Sequence, residues 1–433
     1  MKINEEKTLI DLINKYVEKN NRKNDFAGKY WYPLNYATYD SEEIISAIES
    51  LVSFQTSMGE KTKNFENLFS NFIGARGSIF CNSGSSADLL AISSVLKSPT
   101  TNLQKGDKVL VPAITWPTQV WSILQCGLIP VLYDCNEHTF NPDITRVPHE
   151  ILKECKAIFT THILGTCSNL SHLKEICEKY NLILLEDSCE SLGTKYQGEY
   201  LGNFGCIATF STFFSHHMTT LEGGIVVSND EDLIVQSKIT RAHGWSRGIT
   251  ENELNLFIKN RNININEFSK IDNRYLFLDE GYNLRPTEIN ASFGIKQLEK
   301  LISFNKKRKE YASYFYDSIS NLKCIKGPDL VEGCEPCFMA LPLTLHNCNH
   351  EFKFAINHLE QEGIESRPLI AGNLLKHPAG KRYKLLSADT NLKGADYHHI
   401  NSFYVGLTPI HTFEDIEKLV LAIKNLDQLL ENN

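Results

Sequence analysis

A series of short apolar runs, bounded by turn residues and alternating with helical patterns, constrains this chain more than any other feature. The runs are Lys108–Val111, Ile129–Tyr133, Ala157–Thr161, Leu182–Glu186, Ile207–Ser211 and Gly224–Val227. Runs this apolar read as strands covered on both faces, and helices must supply the cover. Helical patterns lie between them at Ser86–Leu96, Pro117–Gln125 and Ser171–Tyr180. The order predicts an α/β fold with a mainly parallel sheet, continuing to about residue 300. After it come helix-like Lys306–Ile319, further short strands, Glu351–Glu362, and a C-terminal helix from Thr412 to about Leu430. A chain of 433 residues has room for two domains. We read 55–300 as a large domain and 301–433 as a smaller α/β domain, with 1–54 as an N-terminal arm belonging partly to the smaller one. Residues 246–280 are Asn-rich and lack clear periodicity, which suits a surface insertion or a loop covering a site.

Composition excludes several classes. A net charge of -8 without a basic run argues against a nucleic-acid footprint. The longest apolar runs, such as Leu182–Leu185, are far too short to span a membrane. The N-terminal segment lacks a signal-type apolar core. Its Leu9, Ile10, Leu12, Ile13 and Val17 suit one face of an amphipathic helix instead. The 12 cysteines therefore read as reduced thiols of a cytoplasmic protein. Cys334 and Cys337 form one CxxC with Cys348 beyond, but a zinc ribbon needs a second pair, so no metal is expected.

Four segments carry candidate chemistry, each with an ordinary alternative. Asn82-Ser83-Gly84-Ser85-Ser86 opens a helix after an apolar run, as a phosphate cradle or a simple N-cap would. Trp116 follows the strand at Val109–Val111 and is either core or a plate for a flat ring. Leu184–Ser191 ends an apolar strand in Glu186 and Asp187; such acids cap a strand, or hold a ring nitrogen protonated. Phe210–Gly224 reads as a buried strand, a polar turn and a glycine-rich return. In it Ser211 is followed five residues later by His216, and no lysine occurs between Tyr196 and Ser237.

Together these segments resemble the motifs of the DegT-type family of pyridoxal-phosphate (PLP) sugar aminotransferases and dehydratases, from about Tyr32 to the C-terminus. The resemblance implies PLP-enzyme fold type I, the aspartate-aminotransferase-like architecture. It also implies roles. Gly84 and Ser85 would hold the cofactor phosphate, Trp116 would stack on the ring, and Asp187 would face the pyridine nitrogen. Ser211 belongs to the same shell. Glu190 stands where many family aminotransferases carry glutamine, and would contact the ring hydroxyl. Asn283, within Gly281–Glu288, matches a segment that crosses to the partner subunit's phosphate, which implies a homodimer with composite sites. Arg367, within Ser366–Leu374, would pair with an amino-acid carboxylate or a substrate phosphate; a plain surface arginine is the alternative.

His216 occupies the position of the family's cofactor lysine. Imidazole cannot form the lysine's covalent link, so PLP, or its amine form PMP, would sit noncovalently while histidine works as base and then acid. His217, a substrate-binding candidate, is the fallback if the register is off by one. A histidine here resembles the sugar 3-dehydratase branches. One branch acts on a GDP-linked 4-keto-6-deoxymannose; the other acts on a CDP-linked sugar with a [2Fe-2S] cluster and a reductase. Arg241–Arg247 looks more like the first. Cys189 matches one cluster cysteine, but Cys206 to Cys324 is an interval without any other, so no iron–sulfur cluster is expected. The implied reaction removes the C3 hydroxyl of a nucleotide-linked 4-keto-6-deoxy sugar, with L-glutamate regenerating PMP. The alternatives are a nucleotide-sugar 4-aminotransferase and a noncatalytic member that binds a partner.

Overall fold

The apolar runs assemble into one eight-stranded sheet in a computed structural model that describes residues 2–20, 29–346 and 352–431. Across the sheet the order is Gly77–Cys81, Gly224–Ser228, Ile207–Ser211, Ile183–Asp187, Cys155–Thr161, Lys108–Pro112, Ile129–Tyr133 and Leu386–Ser387. All neighbours from Ile207–Ser211 to Leu386–Ser387 pair in parallel. Gly224–Ser228 runs antiparallel to the strands on both its sides. Each expected strand falls within two residues of the observed one. The edge strand Leu386–Ser387 was not foreseen, because two residues carry no periodicity.

Chain order reverses around Lys108–Pro112. The chain leaves it for the neighbouring strand Ile129–Tyr133 and returns to Cys155–Thr161 on its other side. Such a switch point opens a crevice beyond the carboxyl ends of parallel strands, and ligands bind there. The helix Gly84–Lys97 covers the strands Ile207–Ser211 and Gly224–Ser228.

A second, antiparallel sheet runs Ile325–Lys326, Ala340–Leu345, Ser402–Gly406, Ser366–Pro368. Leu341, Leu343, Phe403 and Val405 pack there against Phe315, Ile416 and Leu419 from helices. Tyr32 from the N-terminal arm is buried in the same cluster, and its hydroxyl donates to Gly406 O at 2.9 Å.

Three elements depart from the sequence reading. Lys306–Ile319 is only the second half of a 32-residue helix, Glu288–Ile319. The first half buries Ala291, Phe293, Leu298 and Leu301 together with Ser292, Gly294 and Gln297, so small and polar residues interrupt its apolar face. Within 246–280 lies a helix, Glu251–Asn260, with a Thr250/Glu253 capping box. It buries Phe257 alone, against Val235 and Ile239, too little to register as periodicity. In the helix Lys2–Lys19, Ile10, Ile13 and Val17 are half-buried, whereas Leu9 and Leu12 remain 47% and 59% exposed. No helix among the described residues is long and apolar enough to cross a membrane.

Candidate active site

Three chain segments meet at the cradle. Ser83 caps the helix Gly84–Lys97, its Oγ accepting from Ser86 N at 3.1 Å. The first amides of any helix lack intrahelical acceptors, which suits them to an anion. A Cβ on Gly84 would lie 2.7 Å from Ser211 Cβ, and one on Gly224 would lie 2.1 Å from Ser83 O. Only glycine at both positions lets the helix start, Ser211 and the returning strand touch. Gly84 and Ser211 are thus brought together, with Ser85 next in the first turn of the helix.

On the strand Ile183–Asp187, alternation sends neighbouring carboxylates to opposite faces. Glu186 is fully buried and accepts from the amides of Gly202, Phe204 and Gly205 at 3.1, 2.8 and 2.6 Å, and lies 3.2 Å from His162 Nε2. Burial pushes its carboxyl upward, but His162 and these amides overcome it and hold the group below the ordinary range. Asp187 is only 3% exposed and accepts from Cys189 N at 3.0 Å. Burial raises its carboxyl, only partly offset by that amide and by His162. Asp88, four residues into the cradle helix, is buried within 4.8 Å of Asp187 and accepts from Thr209 Oγ1 at 2.8 Å. Burial first, and then Asp187, raise the Asp88 carboxyl well above its ordinary value. Asp88 was missed as a functional candidate; a carboxylate on the buried side of a helix was its signal.

Glu190 accepts from Leu164 N at 2.9 Å, and burial pushes it up to about 8. At neutral pH it is a carboxylic acid able to donate a hydrogen bond. Trp116 ends the turn after Lys108–Pro112 and is 57% exposed as a residue, so it is not core.

The histidine turn follows the strand Ile207–Ser211. His216 is half-buried, its Nδ1 is buried without a partner, and burial lowers its ring to about 4. It is a neutral imidazole at physiological pH, the form a general base needs. His217 corrects the substrate-binding expectation. Its ring has no exposed surface, and Nε2 donates to Cys337 O at 2.8 Å, so it offers nothing to a substrate.

Asn283 and Arg367 are each bonded to a charged neighbour two residues away in sequence. Asn283 is exposed, accepts from Arg285 Nε at 2.9 Å, and lines a cavity of about 740 Å³ with Lys63, Arg241, Arg247 and Arg285. None of Trp116, Asp187 or His216 lines that cavity. Arg367, with its side chain 48% exposed, pairs with Glu365 at 2.6 Å. Tyr404, which no motif marked, lies opposite Arg367 across the second sheet. Burial raises its hydroxyl to about 12, with Glu190 adding and Arg367 opposing, which places it in the field of both. Cys334 and Cys337 belong to different surroundings: Cys334 contacts Cys167, whereas Cys337 is buried near Arg308. Cys348 lies outside the described residues.

Residues 38–424 match the DegT/DnrJ/EryC1/StrS aminotransferase family. The chain belongs to that family. It is 32% identical over 394 residues to the GDP-4-keto-6-deoxy-D-mannose 3-dehydratase of Escherichia coli O55:H7, covering 91% of this chain and 99% of the relative. A solved GDP-4-keto-6-deoxymannose 3-dehydratase holding a trapped PLP–glutamate geminal diamine superposes with a TM-score of 0.81 at 31% identity, covering 92% of this chain and all of that one. A variant of such an enzyme, in which an adjacent serine and histidine are replaced by asparagine and lysine, gives a TM-score of 0.80 at 30% identity over 90% of this chain and 100% of that one. The expected type I fold is the fold found.

Proposed function

We propose that this protein is a PLP/PMP-dependent 3-dehydratase that converts a nucleotide-linked 4-keto-6-deoxy sugar into its 4-keto-3,6-dideoxy product. The observation that carries the reading is His216: a neutral, half-buried imidazole stands in the turn where a lysine would hold the cofactor covalently. In that turn the adjacent serine and histidine are Ser215 and His216, which supports this register over His217.

The residues fit the cofactor. Gly84, Ser85 and Ser211 form the close-packed cradle for its phosphate, and the uncovered face of Trp116 takes its ring. Asp187 meets the ring nitrogen, with Asp88 buried beside it and its carboxyl raised by that burial. Glu190, as a neutral acid, donates to the ring hydroxyl. Asn283 reaches the partner subunit's phosphate in a homodimer with composite sites, and Arg367 binds the carboxylate of L-glutamate or a substrate phosphate. Residues 55–300 act as the cofactor domain, with 301–433 and the arm 1–54 forming the smaller one. The setting is the cytoplasm.

When bound, PMP supplies an amine for the C4 ketone and a ring that stores an electron pair. His216 takes a proton from the carbon bearing that amine and returns it to the departing C3 hydroxyl. Asp187 keeps the ring nitrogen protonated throughout. L-glutamate then restores the amine form. A lysine would compete for the cofactor and favour retention of the amine on the sugar.

The test is product mass after incubating the protein with PLP, L-glutamate and a 4-keto-6-deoxy nucleotide sugar, the GDP-mannose-derived one first. Loss of the C3 oxygen with ammonia release is expected. A stable 4-aminosugar that keeps its C3 hydroxyl would make the protein an aminotransferase. Failure to bind either cofactor form would leave a noncatalytic binding protein.

A further inference from the structure

Arg308, in the middle of the helix Glu288–Ile319, is the largest fully buried side chain among the described residues. Its Nη1 donates to Met339 O at 2.9 Å, to Phe338 O at 3.4 Å and to Leu407 O, while Nη2 donates to His216 O at 3.4 Å. No carboxylate among the described residues contacts it. Burial lowers it to about 10, so it remains charged at neutral pH. A buried charge without a counter-ion is costly, and an apolar side chain of similar size would serve packing better. What the guanidinium does that an apolar side chain cannot is gather carbonyls from three separate places.

Those places are the histidine turn, the segment leading into Ala340–Leu345, and the residue following Ser402–Gly406. The same segment is held from two more sides. His217 Nε2 donates to Cys337 O at 2.8 Å. Cys337 N donates to Gly165 O at 3.0 Å, and Met339 N to Leu164 O at 3.1 Å. Leu164 N in turn donates to Glu190. Cys337–Met339 therefore joins the turn bearing His216 to the loop that binds Glu190.

We propose that Arg308 and His217 are positioning residues, which fasten the His216 turn to Cys337–Met339 and so set the catalytic imidazole in register with Glu190. The proposal rests on the dehydratase reading given above. Neither residue touches a reacting atom; both act through the main chain of the turn.

The test uses the full-length protein with Arg308→Lys and His217→Gln. Lysine keeps the charge but lacks the planar fork needed to reach several carbonyls at once. In the cofactor-free protein, amide exchange over residues 212–218 should quicken in both variants, while exchange in the strand Lys108–Pro112 stays at the wild-type rate. PMP affinity should hold within about threefold, and the dehydration rate should fall about 100-fold with KM little changed, as expected for misplacement of about 1 Å. Wild-type turnover and exchange in Arg308→Lys would overturn the proposal. So would exchange that quickens equally in Lys108–Pro112, since that marks a general loss of stability. If the wild type forms no 3-deoxy sugar, the dehydratase reading fails, and the exchange contrast alone decides whether the turn is fastened this way.

Discussion

The carboxylate turn at 186–190 and the histidine turn at 215–217 solve the same problem by different means. Each places two like groups side by side in sequence and commits one to structure, leaving the other for chemistry. Glu186 has a full set of partners, whereas Asp187 has one amide and a repelling neighbour. His217 is fully enclosed with Nε2 on Cys337 O, whereas His216 is only half-buried. At the first turn the division follows from strand alternation, a local property. At the second it depends on Cys337 and Arg308, more than 90 residues away in sequence. Local rules thus sort the carboxylates, and tertiary contacts sort the histidines.

The comparison can be broken most severely at His216. Replacement by lysine should cut 3-deoxy sugar formation by about 10³-fold or more, within the range of general acid–base contributions. Product mass spectrometry reads it, and persistent dehydration in His216→Lys would dismiss the assigned role. Asp187→Asn should lower turnover by about 10²-fold or more through loss of the charge at the ring nitrogen. Its thermal midpoint should not fall, because burial already disfavours the charge of Asp187. Glu186→Gln should behave oppositely, losing about 3 kcal/mol of stability by breaking a buried pair. Urea titration of those two variants side by side tests the division within the strand end, and equal losses would erase it.

Acid sharpens the contrast at the second turn. The folded pKa of His216, about 4, lies below its ordinary 6.5, so the unfolded chain binds the extra proton first. Stability from this group is complete above pH 6.5 and drains away as pH falls towards 4. The loss amounts to about 3 kcal/mol, and His216→Asn should lack it when unfolding is compared at pH 7 and pH 4. The smallest effect is expected at Asn283. Asn283→Ala should weaken PMP retention about tenfold, the loss of roughly one hydrogen bond to a charged group. Unchanged affinity would remove the cross-subunit contact from the proposal.

Much of the cradle was legible because its parts lie on short segments at strand ends. Gly84, Ser85, Trp116, Asp187 and Ser211 each follow an apolar run, and parallel strands bring such ends to one crevice. Asp88 and Tyr404 escaped notice because a polar residue within a helix or strand has many ordinary explanations. The first half of Glu288–Ile319 escaped because small and polar residues interrupt its buried apolar face.

By itself the sequence determined the α/β architecture and the strand ends that border the crevice. These follow from side-chain periodicity and from residue chemistry, both of which are local. Only the tertiary structure decided that His217 is enclosed while His216 is half-buried, that Asp88 lies buried against Asp187, and that burial raises Glu190. Each of those depends on burial and on groups remote in sequence. The energy of a charge is set by its surroundings, and the surroundings exist only once the chain has folded.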